Sequence, residues 1–378
     1  MTLPYLLQST VAVVFTLGLV ILLHEWGHFI VCRLLGVRVE RFAFGFGPEL
    51  FGVTRKGTRY SLCAFPLGGF VKPAGESLEE FGGKPDEYFA QSWYRRLAIV
   101  YAGPSMNYLL AFVLFTGVVW IKGVPESGKD PVIGNLMTGF PADAAGLKID
   151  DRVVSVNGKA ISTWEELAGS VHASPGKAVS LVIRRGEGES LTKSVVPRKD
   201  DATGRGLIGI MAKPFHRPVA FVEAASEGGR QCVLLTMFTI KTLASKIYKR
   251  ERPDVAGPVG IVQMVSRAAH SGLEDLIFLI GLISVAIGFF NFLPVPLLDG
   301  GHAALYIWEG ISGKKLTQNA MATANSVGIV FLLSLLVFAT YNDFSRILGE
   351  RSARKKAAAE IGDMKAPEAK PGKAAAAP

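Results

Sequence analysis

A long apolar stretch near the start of the chain constrains its fold more than any other feature. Between Tyr5 and Cys32 there is no Lys, Arg or Asp, and the run Val11–Leu23 is almost wholly apolar. A bilayer core of about 30 Å needs about 20 such residues in a helix. A secretory signal peptide places positive charge ahead of its apolar core, whereas the first basic residue here is Arg33. We therefore expect a retained transmembrane helix.

Three further stretches are long and apolar enough to cross a bilayer, namely Leu97–Ile121, Leu276–Leu293 and Ala320–Tyr341. The composition agrees, because 49% of the residues are hydrophobic and only 19% are charged, which excludes disordered and coiled-coil proteins. Val233–Ile240 is too short to span, and its helical spacing of apolar residues predicts an amphipathic helix on the membrane surface or on a neighbouring domain. The sequence thus predicts a multi-pass α-helical membrane protein with four transmembrane helices.

The distribution of basic residues predicts how the chain is oriented. Residues 33–96 hold ten Lys and Arg, and the short loop before the last span holds Lys314 and Lys315. By the positive-inside rule both loops are cytoplasmic, and the amino terminus and residues 122–275 lie outside. The tail, residues 344–378, conflicts with this orientation, because its eight basic residues would then lie outside. We expect the tail to be disordered. These segments account for the net charge of +9, so we expect no nucleic-acid partner.

Residues 131–213 carry the pattern of a small β domain. Asp151–Val156 alternates apolar and polar residues and leads into Asn157-Gly158, which predicts a hairpin. Ser162–Glu166 contains two overlapping capping boxes for a short helix, and Val179–Val195 predicts two further strands. This order resembles a bacterial PDZ domain, a fold that binds an extended peptide at a sheet edge. One hypothesis is that this domain binds a peptide, and the alternative is that it only packs against the membrane part.

The motif His24-Glu25-Trp26-Gly27-His28 carries the chemistry of the chain. Residues four apart share a face of a helix, so both imidazoles can bind one metal ion with Glu25 beside its water. Zinc accepts these ligands and lowers the pKa of water to about 7. The alternative is a chance match with two core histidines. A carboxylate in an apolar span costs about 2.5–3.5 kcal/mol and usually marks function, which favours a zinc site with Glu25 as its catalytic residue.

A catalytic zinc site needs a third protein ligand, and the third apolar span ends in candidates. The segment from Asn291 to His302 contains two prolines that should break the helix, and it contains Asp299. One span separates the first and third helices, so both run in the same direction and their carboxyl ends lie at the same side. Asp299 can therefore meet His24 and His28. His302 is a rival ligand, and spacing alone does not choose between them.

At these residues the chain resembles the site-2 protease family of intramembrane zinc metalloproteases, in particular its regulator-of-sigma-E protease (RseP-type) branch. The resemblance runs from Leu23 to about Asp343, and its most specific part is the HExxH motif combined with a distant Leu-Asp-Gly. Further matching stretches are Gly45-Phe46-Gly47, Ala102-Gly103-Pro104 with Asn107, Gly257-Pro258-Val-Gly-Ile261 and Tyr341-Asn342-Asp343. One difference is that some relatives carry two tandem PDZ domains, whereas this chain has room for one.

The resemblance implies that Asp299 is the third zinc ligand and that Asn291 contacts the substrate backbone. It places further substrate contacts at Pro294, Gly45, Phe46, Gly47, Gly68 and Gly69. In the family, such glycine-rich segments form a membrane-dipping cytoplasmic β-hairpin loop that presents an edge to the substrate.

The resemblance also implies regulated intramembrane proteolysis in the bacterial inner membrane. A single-span substrate, already trimmed by another protease, would be cut in the lipid bilayer to release a cytoplasmic fragment such as an anti-sigma factor. The periplasmic PDZ-like domain would restrict entry to trimmed substrates.

The sequence predicts five segments. Residues 1–121 hold the first two spans with the HExxH motif, residues 122–228 form the PDZ-like domain, and residues 229–275 form an amphipathic linker. Residues 276–343 hold the last two spans with the Leu-Asp-Gly motif, and residues 344–378 form the tail.

Two other classes of protein remain open. A membrane-anchored PDZ adaptor would need neither Glu25 nor Asp299. A metal transporter would offer polar residues along a path across the membrane, whereas here they cluster near one end.

Overall fold

The computed structural model describes residues 3–186, 188–201, 203–250 and 257–364. The helices are α1 Leu3–Leu34, α2 Trp93–Lys122, α3 Pro141–Ala144, α4 Trp164–His172, α5 Phe221–Lys249, α6 Pro258–Ser271, α7 Leu273–Phe292, α8 Asp299–Ser312 and α9 Gln318–Met364. The strands are β1 Val39–Arg55, β2 Thr58–Pro73, β3 Val124–Ser127, β4 Ile133–Leu136, β5 Arg152–Val156, β6 Lys159–Ala160, β7 Val179–Arg185, β8 Glu189–Val195, β9 Arg198–Lys199, β10 Gly206–Leu207, β11 Ile210–Ala212 and β12 Pro214–Arg217.

The chain divides into two compact units. The described residues up to Thr116 and from Ala225 onward form the first, which we call the membrane unit. Residues Gly117–Ala224 form the second, which we call the inserted domain.

Four helices of the described chain are long and apolar enough to cross a membrane: Leu3–Leu34, Trp93–Lys122, Leu273–Phe292 and Gln318–Gly349. They match the four predicted spans, whereas α5 is not among them, as its amphipathic pattern predicted. The prediction of a disordered tail is wrong for residues 344–364, because α9 continues to Met364. This stretch is rich in Ala, Arg, Lys and Glu, which favour helix, and the first proline after it is Pro367. Residues 365–378 of the predicted tail lie outside the described residues.

A buried carboxylate of α9 joins two stretches that the sequence singled out. Asp343 accepts hydrogen bonds from the backbone N–H groups of Gly257 (3.2 Å) and Gly260 (2.8 Å). The first N–H groups of a helix have no partner within the helix, so Asp343 caps the amino terminus of α6. In turn, α6 packs on α1 and α7 through an apolar cluster that includes Val265 and Val13.

Strands β1 and β2 form a long hairpin that folds back on itself. Phe42 pairs with Val71 on one side and with Tyr60 on the other, so the first half of β1 lies between the two halves of β2. The outer edge, residues 68–73, approaches α1, where the Val71 N–H donates to Glu25. The distal part exposes large apolar side chains, which are Phe46, Leu50, Phe51, Val53, Leu62 and Phe65.

The inserted domain is built around a four-stranded sheet in the order β6-β5-β7-β8. The predicted hairpin turn is present, since Asn157 and Gly158 adopt positive φ angles of 52° and 79° between β5 and β6. Of the two overlapping capping boxes predicted, the one formed by Thr163 and Glu166 is present at the start of α4. The core side chains, all buried, include Ile133, Val153, Val156, Leu167, Leu181 and Ile183.

Candidate active site

Three potential metal ligands converge where α1 and α8 meet. The Nε2 atoms of His24 and His28 lie 3.2 Å apart. Asp299 carboxylate oxygens lie 3.0 Å from Nε2 of His24 and 3.5 Å from Nε2 of His28. One donor atom from each residue lies within 4.8 Å of the others. Ligands on a tetrahedral zinc ion with bonds of about 2.0–2.1 Å are about 3.3 Å apart, so this donor set fits zinc.

Hydrogen bonds on the far side of each ring prepare the two imidazoles for a metal. Nδ1 of His28 lies 2.8 Å from the carbonyl oxygen of Ile99, so Nδ1 donates and Nε2 keeps its lone pair. Nδ1 of His24 lies 3.2 Å from the Asn107 amide nitrogen, while the buried Asn107 Oδ1 has no partner among the described residues. Turning the Asn107 amide by half a rotation lets Oδ1 accept from His24 Nδ1–H. Both Nε2 atoms are then free to bind metal.

Gly103 leaves the space in front of these two nitrogens open. A Cβ atom at position 103 would lie 2.3 Å from Nε2 of His28 and 2.8 Å from Nε2 of His24. Gly27 of α1, which faces α2 here, also has no room for a side chain, because a Cβ atom on Gly27 would lie 2.4 Å from the Ala102 carbonyl oxygen. The close crossing of α1 and α2 therefore depends on two glycines, and any side chain at 103 would occupy the space between the ligands.

We expect Gly103→Ala to lower the zinc content of the purified protein more than tenfold, because the methyl group competes with the metal for this space. Zinc measured by atomic absorption tests this. Gly117→Ala is the matched control in the same helix, since a Cβ atom there meets nothing within 4 Å. Equal zinc content in the two variants would contradict the placement of the site.

The loop between α7 and α8 delivers Asp299. α7 ends at Phe292, and Pro294 and Pro296 follow, which confirms the predicted break in the helix. Leu297 adopts a positive φ of 76°, an uncommon conformation for a branched side chain. Asp299 is then the first residue of α8, where the helix dipole favours a carboxylate.

His302 lies one turn further along α8 and outside the donor cluster. Its ring packs near Tyr306, with ring centroids 6.4 Å apart, and it lines the same cavity. Tyr306 in turn accepts a hydrogen bond from the Tyr88 hydroxyl and lies 4.6 Å from the guanidinium of Arg96, which pairs with Glu309. These buried contacts hold α8 against α2. Within the described chain, the structure brings Asp299 rather than His302 to the two histidines.

Glu25 faces a cavity of about 420 Å³ that also contains the three ligands. Its Oε2 accepts a hydrogen bond of 3.1 Å from the Val71 N–H at the outer edge of β2. This bond holds the carboxylate at the cavity wall and leaves the other oxygen, Oε1, for a reacting group.

The residues predicted to bind substrate fall into two groups. Asn291 lines the cavity, and a Cβ atom on Gly69 would lie only 3.7 Å from Cγ of Glu25. The rest do not meet the ligands: Phe46 stacks on Phe70, and Pro294 is exposed. Gly45 packs against the backbone of Phe65, whereas Gly47 packs against the Phe65 side chain and Gly68 against the Phe46 side chain.

Sequence reasoning gave no role to Asn107, Gly103 or Glu76, all of which lie at or beside the site. Asn107 is four residues after Gly103, on the same face of α2, and it is a fully buried amide within a predicted span. Polar residues in spans usually mark function, and this signal could have identified Asn107.

The chain is similar to known proteins over most of its length. The sequence pattern of peptidase family M50 matches residues 12–335. A Clostridium acetobutylicum protein is 34% identical over 336 residues, which cover 89% of this chain and 97% of the relative. An Agrobacterium fabrum protein is 34% identical over 373 residues, which cover 91% and 98%. Both carry provisional names as zinc metalloproteases.

Among solved structures, the PDZ domain of the SdrC-like protein from Listeria monocytogenes is 19% identical and covers 24% of this chain and 93% of that chain, with a TM-score of 0.20. The match to the family covers most of the chain and includes the three converging ligands and Glu25. The chain therefore belongs to peptidase family M50, the site-2 protease family of metalloproteases.

Proposed function

We propose that this metalloprotease is an intramembrane zinc endopeptidase that cuts the transmembrane segment of single-span proteins. His24, His28 and Asp299 bind the zinc ion, and Glu25 is the catalytic base. The observation that carries the proposal is the convergence of these three donors within 4.8 Å of one another, next to Glu25, at the end of a helix apolar enough to span a membrane.

The chain's own residues account for the proton transfers of peptide hydrolysis. Zinc, when bound, supplies a Lewis acid that polarises a carbonyl group and lowers the pKa of water. Glu25 accepts the proton of the attacking water at Oε1 and donates it to the nitrogen of the leaving amine. The hydrogen bond from Val71 to Oε2 keeps the carboxylate facing the cavity through both steps.

A transmembrane helix must be unwound before it can be cut, because its carbonyls are held in its own hydrogen bonds. Residues 68–73 form an outer strand whose inner side pairs with β1 and whose outer side faces Glu25. We infer that an unwound substrate adds to this edge as a further strand, which replaces the lost helical hydrogen bonds. Asn291 would hold its backbone from the other side of the cavity. The exposed apolar side chains of the distal sheet suit a hairpin that dips into the membrane.

The basic residues of segment 33–96 favour an active site on the cytoplasmic side of the bacterial inner membrane, with the inserted domain in the periplasm. We propose that the enzyme acts in regulated proteolysis, on a substrate already trimmed by another protease, and releases a cytoplasmic fragment such as an anti-sigma factor. The inserted domain, which we interpret as a single PDZ-like domain, would act as the filter for trimmed substrates. A peptide bound at its sheet edge is one way in which it could do so.

Removal of the inserted domain tests the filter. Ser127 of β3 pairs with Pro214 of β12, so the two ends left by removing residues 131–213 lie close together and a short Gly-Ser linker can join them. We expect this variant to cut an untrimmed substrate at nearly the rate of a trimmed one, whereas the full chain strongly prefers the trimmed form. An unchanged preference would contradict the filter role.

Metal removal tests the enzymatic proposal. The protein is reconstituted in liposomes with a single-span reporter, stripped with a chelator and then supplied with zinc or magnesium. We expect cleavage to stop without metal and to return with zinc but not with magnesium, since imidazole ligands favour zinc. Continued cleavage by metal-free protein would refute the proposal.

A further inference from the structure

Glu76 is a carboxylate in the active-site cavity that peptide hydrolysis does not use. Its side chain lines the cavity together with Glu25, His28 and Tyr88. It lies just beyond β2, so the edge strand that passes Glu25 leads directly to Glu76. A substrate strand that pairs with this edge would therefore extend toward Glu76.

The backbone beside Glu76 is fixed by buried contacts. Ala74 is fully buried, its N–H donates to the Arg38 carbonyl (2.8 Å), and its own carbonyl accepts from the Tyr88 N–H (2.8 Å). Gly75 turns the chain with a φ of 62°, and a Cβ atom there would lie 2.8 Å from a neighbouring side chain. Glu76 is thus held at the cavity wall, which is what a recognition residue requires.

The Glu76 carboxylate has no partner, whereas the acidic residues that follow it have partners. Glu80 pairs with Lys72 at 3.0 Å, and Glu79 accepts from the Gln318 amide at 2.8 Å. In the described part of the chain, no donor or cation lies within bonding distance of the Glu76 carboxylate. Glu76 is exposed by its accessible surface, while the protein atoms crowded around its carboxylate desolvate the charged form and raise the pKa of Glu76 to about 7. A cation that enters the cavity would favour its charged form.

The expected substrate brings such a cation. Transmembrane segments are followed by Lys and Arg at their cytoplasmic end, and their long side chains reach along the membrane surface. The ligands and Glu76 lie on the side of the basic segment 33–96, which the charge rule assigns to the cytoplasm. A strand rises about 3.3 Å per residue. When the scissile bond of the bound substrate lies at Glu25, basic residues about three to five positions further along the substrate strand therefore lie near Glu76.

We propose that Glu76 is a specificity-determining residue that pairs with a Lys or Arg at the cytoplasmic end of the substrate's transmembrane segment. This inference rests on the proposed function, because it names the substrate feature that the same site recognises. It explains why a carboxylate without a partner is held in the cavity.

Two reporter substrates test the pairing. They share one transmembrane segment and carry three Lys or three Ser directly after its cytoplasmic end. The purified, zinc-loaded full chain is assayed on both in detergent, so that substrate topology plays no part. We expect kcat/KM to be about tenfold higher for the Lys substrate, as for a charged hydrogen bond, and Glu76→Gln to bring the ratio close to one. Glu79→Gln, which removes the same charge outside the cavity, should keep the wild-type ratio.

Charge reversal and zinc content make the result decisive. Glu76→Lys should prefer a substrate with three Glu at the same positions, and zinc content shows that each variant has a formed site. The inference would be overturned if the wild-type kcat/KM ratio of the Lys to the Ser substrate were near one, or if Glu76→Gln left that ratio unchanged. In both cases the substrates are still cleaved, so the proposed function would stand. Failure of the wild type to cut either substrate would instead refute the proposed function.

Discussion

Glu25→Gln should lower the rate of substrate cleavage by about 10²–10⁴-fold, the usual contribution of a general base. Glutamine has the size of glutamate, and its amide oxygen can still accept the hydrogen bond from the Val71 N–H. It cannot accept a proton from water at neutral pH. Because Glu25 is not one of the three converging ligands, the variant should keep its zinc. A loss of rate without a loss of metal therefore identifies the base.

The matched control is Glu79→Gln, since Glu79 is exposed and contacts Gln318 rather than the cavity. It should cleave at the wild-type rate. The same comparison separates the enzyme from a membrane-anchored adaptor, which would need no base. Full cleavage by Glu25→Gln would show that another group performs the proton transfer.

Asp299→Asn should weaken zinc binding by more than about 100-fold. Removing a group that only supports a metal ligand already lowers metal affinity by about 10–100-fold, and Asp299 is proposed to bind the metal itself. The neutral amide is a poorer ligand, and it no longer compensates the charge of the metal beside His24 and His28. Zinc content after dialysis, followed by cleavage at several zinc concentrations, measures the effect. Cleavage should recover only at high zinc.

His302→Ala distinguishes the two candidate ligands of the Asn291–His302 segment. The His302 ring lies near Tyr306 and outside the donor cluster, so we expect this variant to keep its zinc. Loss of zinc in His302→Ala with full zinc in Asp299→Asn would show that His302 is the third ligand.

The sequence contains enough information to predict the spans and much of the metal site. Hydropathy identifies four helices because a bilayer demands about 20 apolar residues in each, and the observed helices fall at those positions. Helical periodicity places His24 and His28 on one face. Counting spans then brings Asp299 to the same end of the membrane unit, since helices separated by one span run in the same direction.

Other features depend on how the helices cross, and no local pattern records that crossing. Gly103 matters because α1 approaches α2 at that point, and Asn107 matters because it reaches Nδ1 of His24. The folding of β1 and β2 into a sheet that places Val71 beside Glu25 likewise requires pairing between distant residues. The helical stretch 344–364 was missed for a different reason, because its charge and alanine content suit a disordered tail as well as a helix.

The most direct test of the central claim is the position of the cut. A single-span reporter is cleaved by the zinc-loaded enzyme in liposomes, and mass spectrometry of both fragments locates the scissile bond. We predict one main cut inside the apolar segment, toward its cytoplasmic end, and no such product with Glu25→Gln. A cut confined to the water-exposed parts of the reporter, or the same products from Glu25→Gln, would contradict an intramembrane zinc protease.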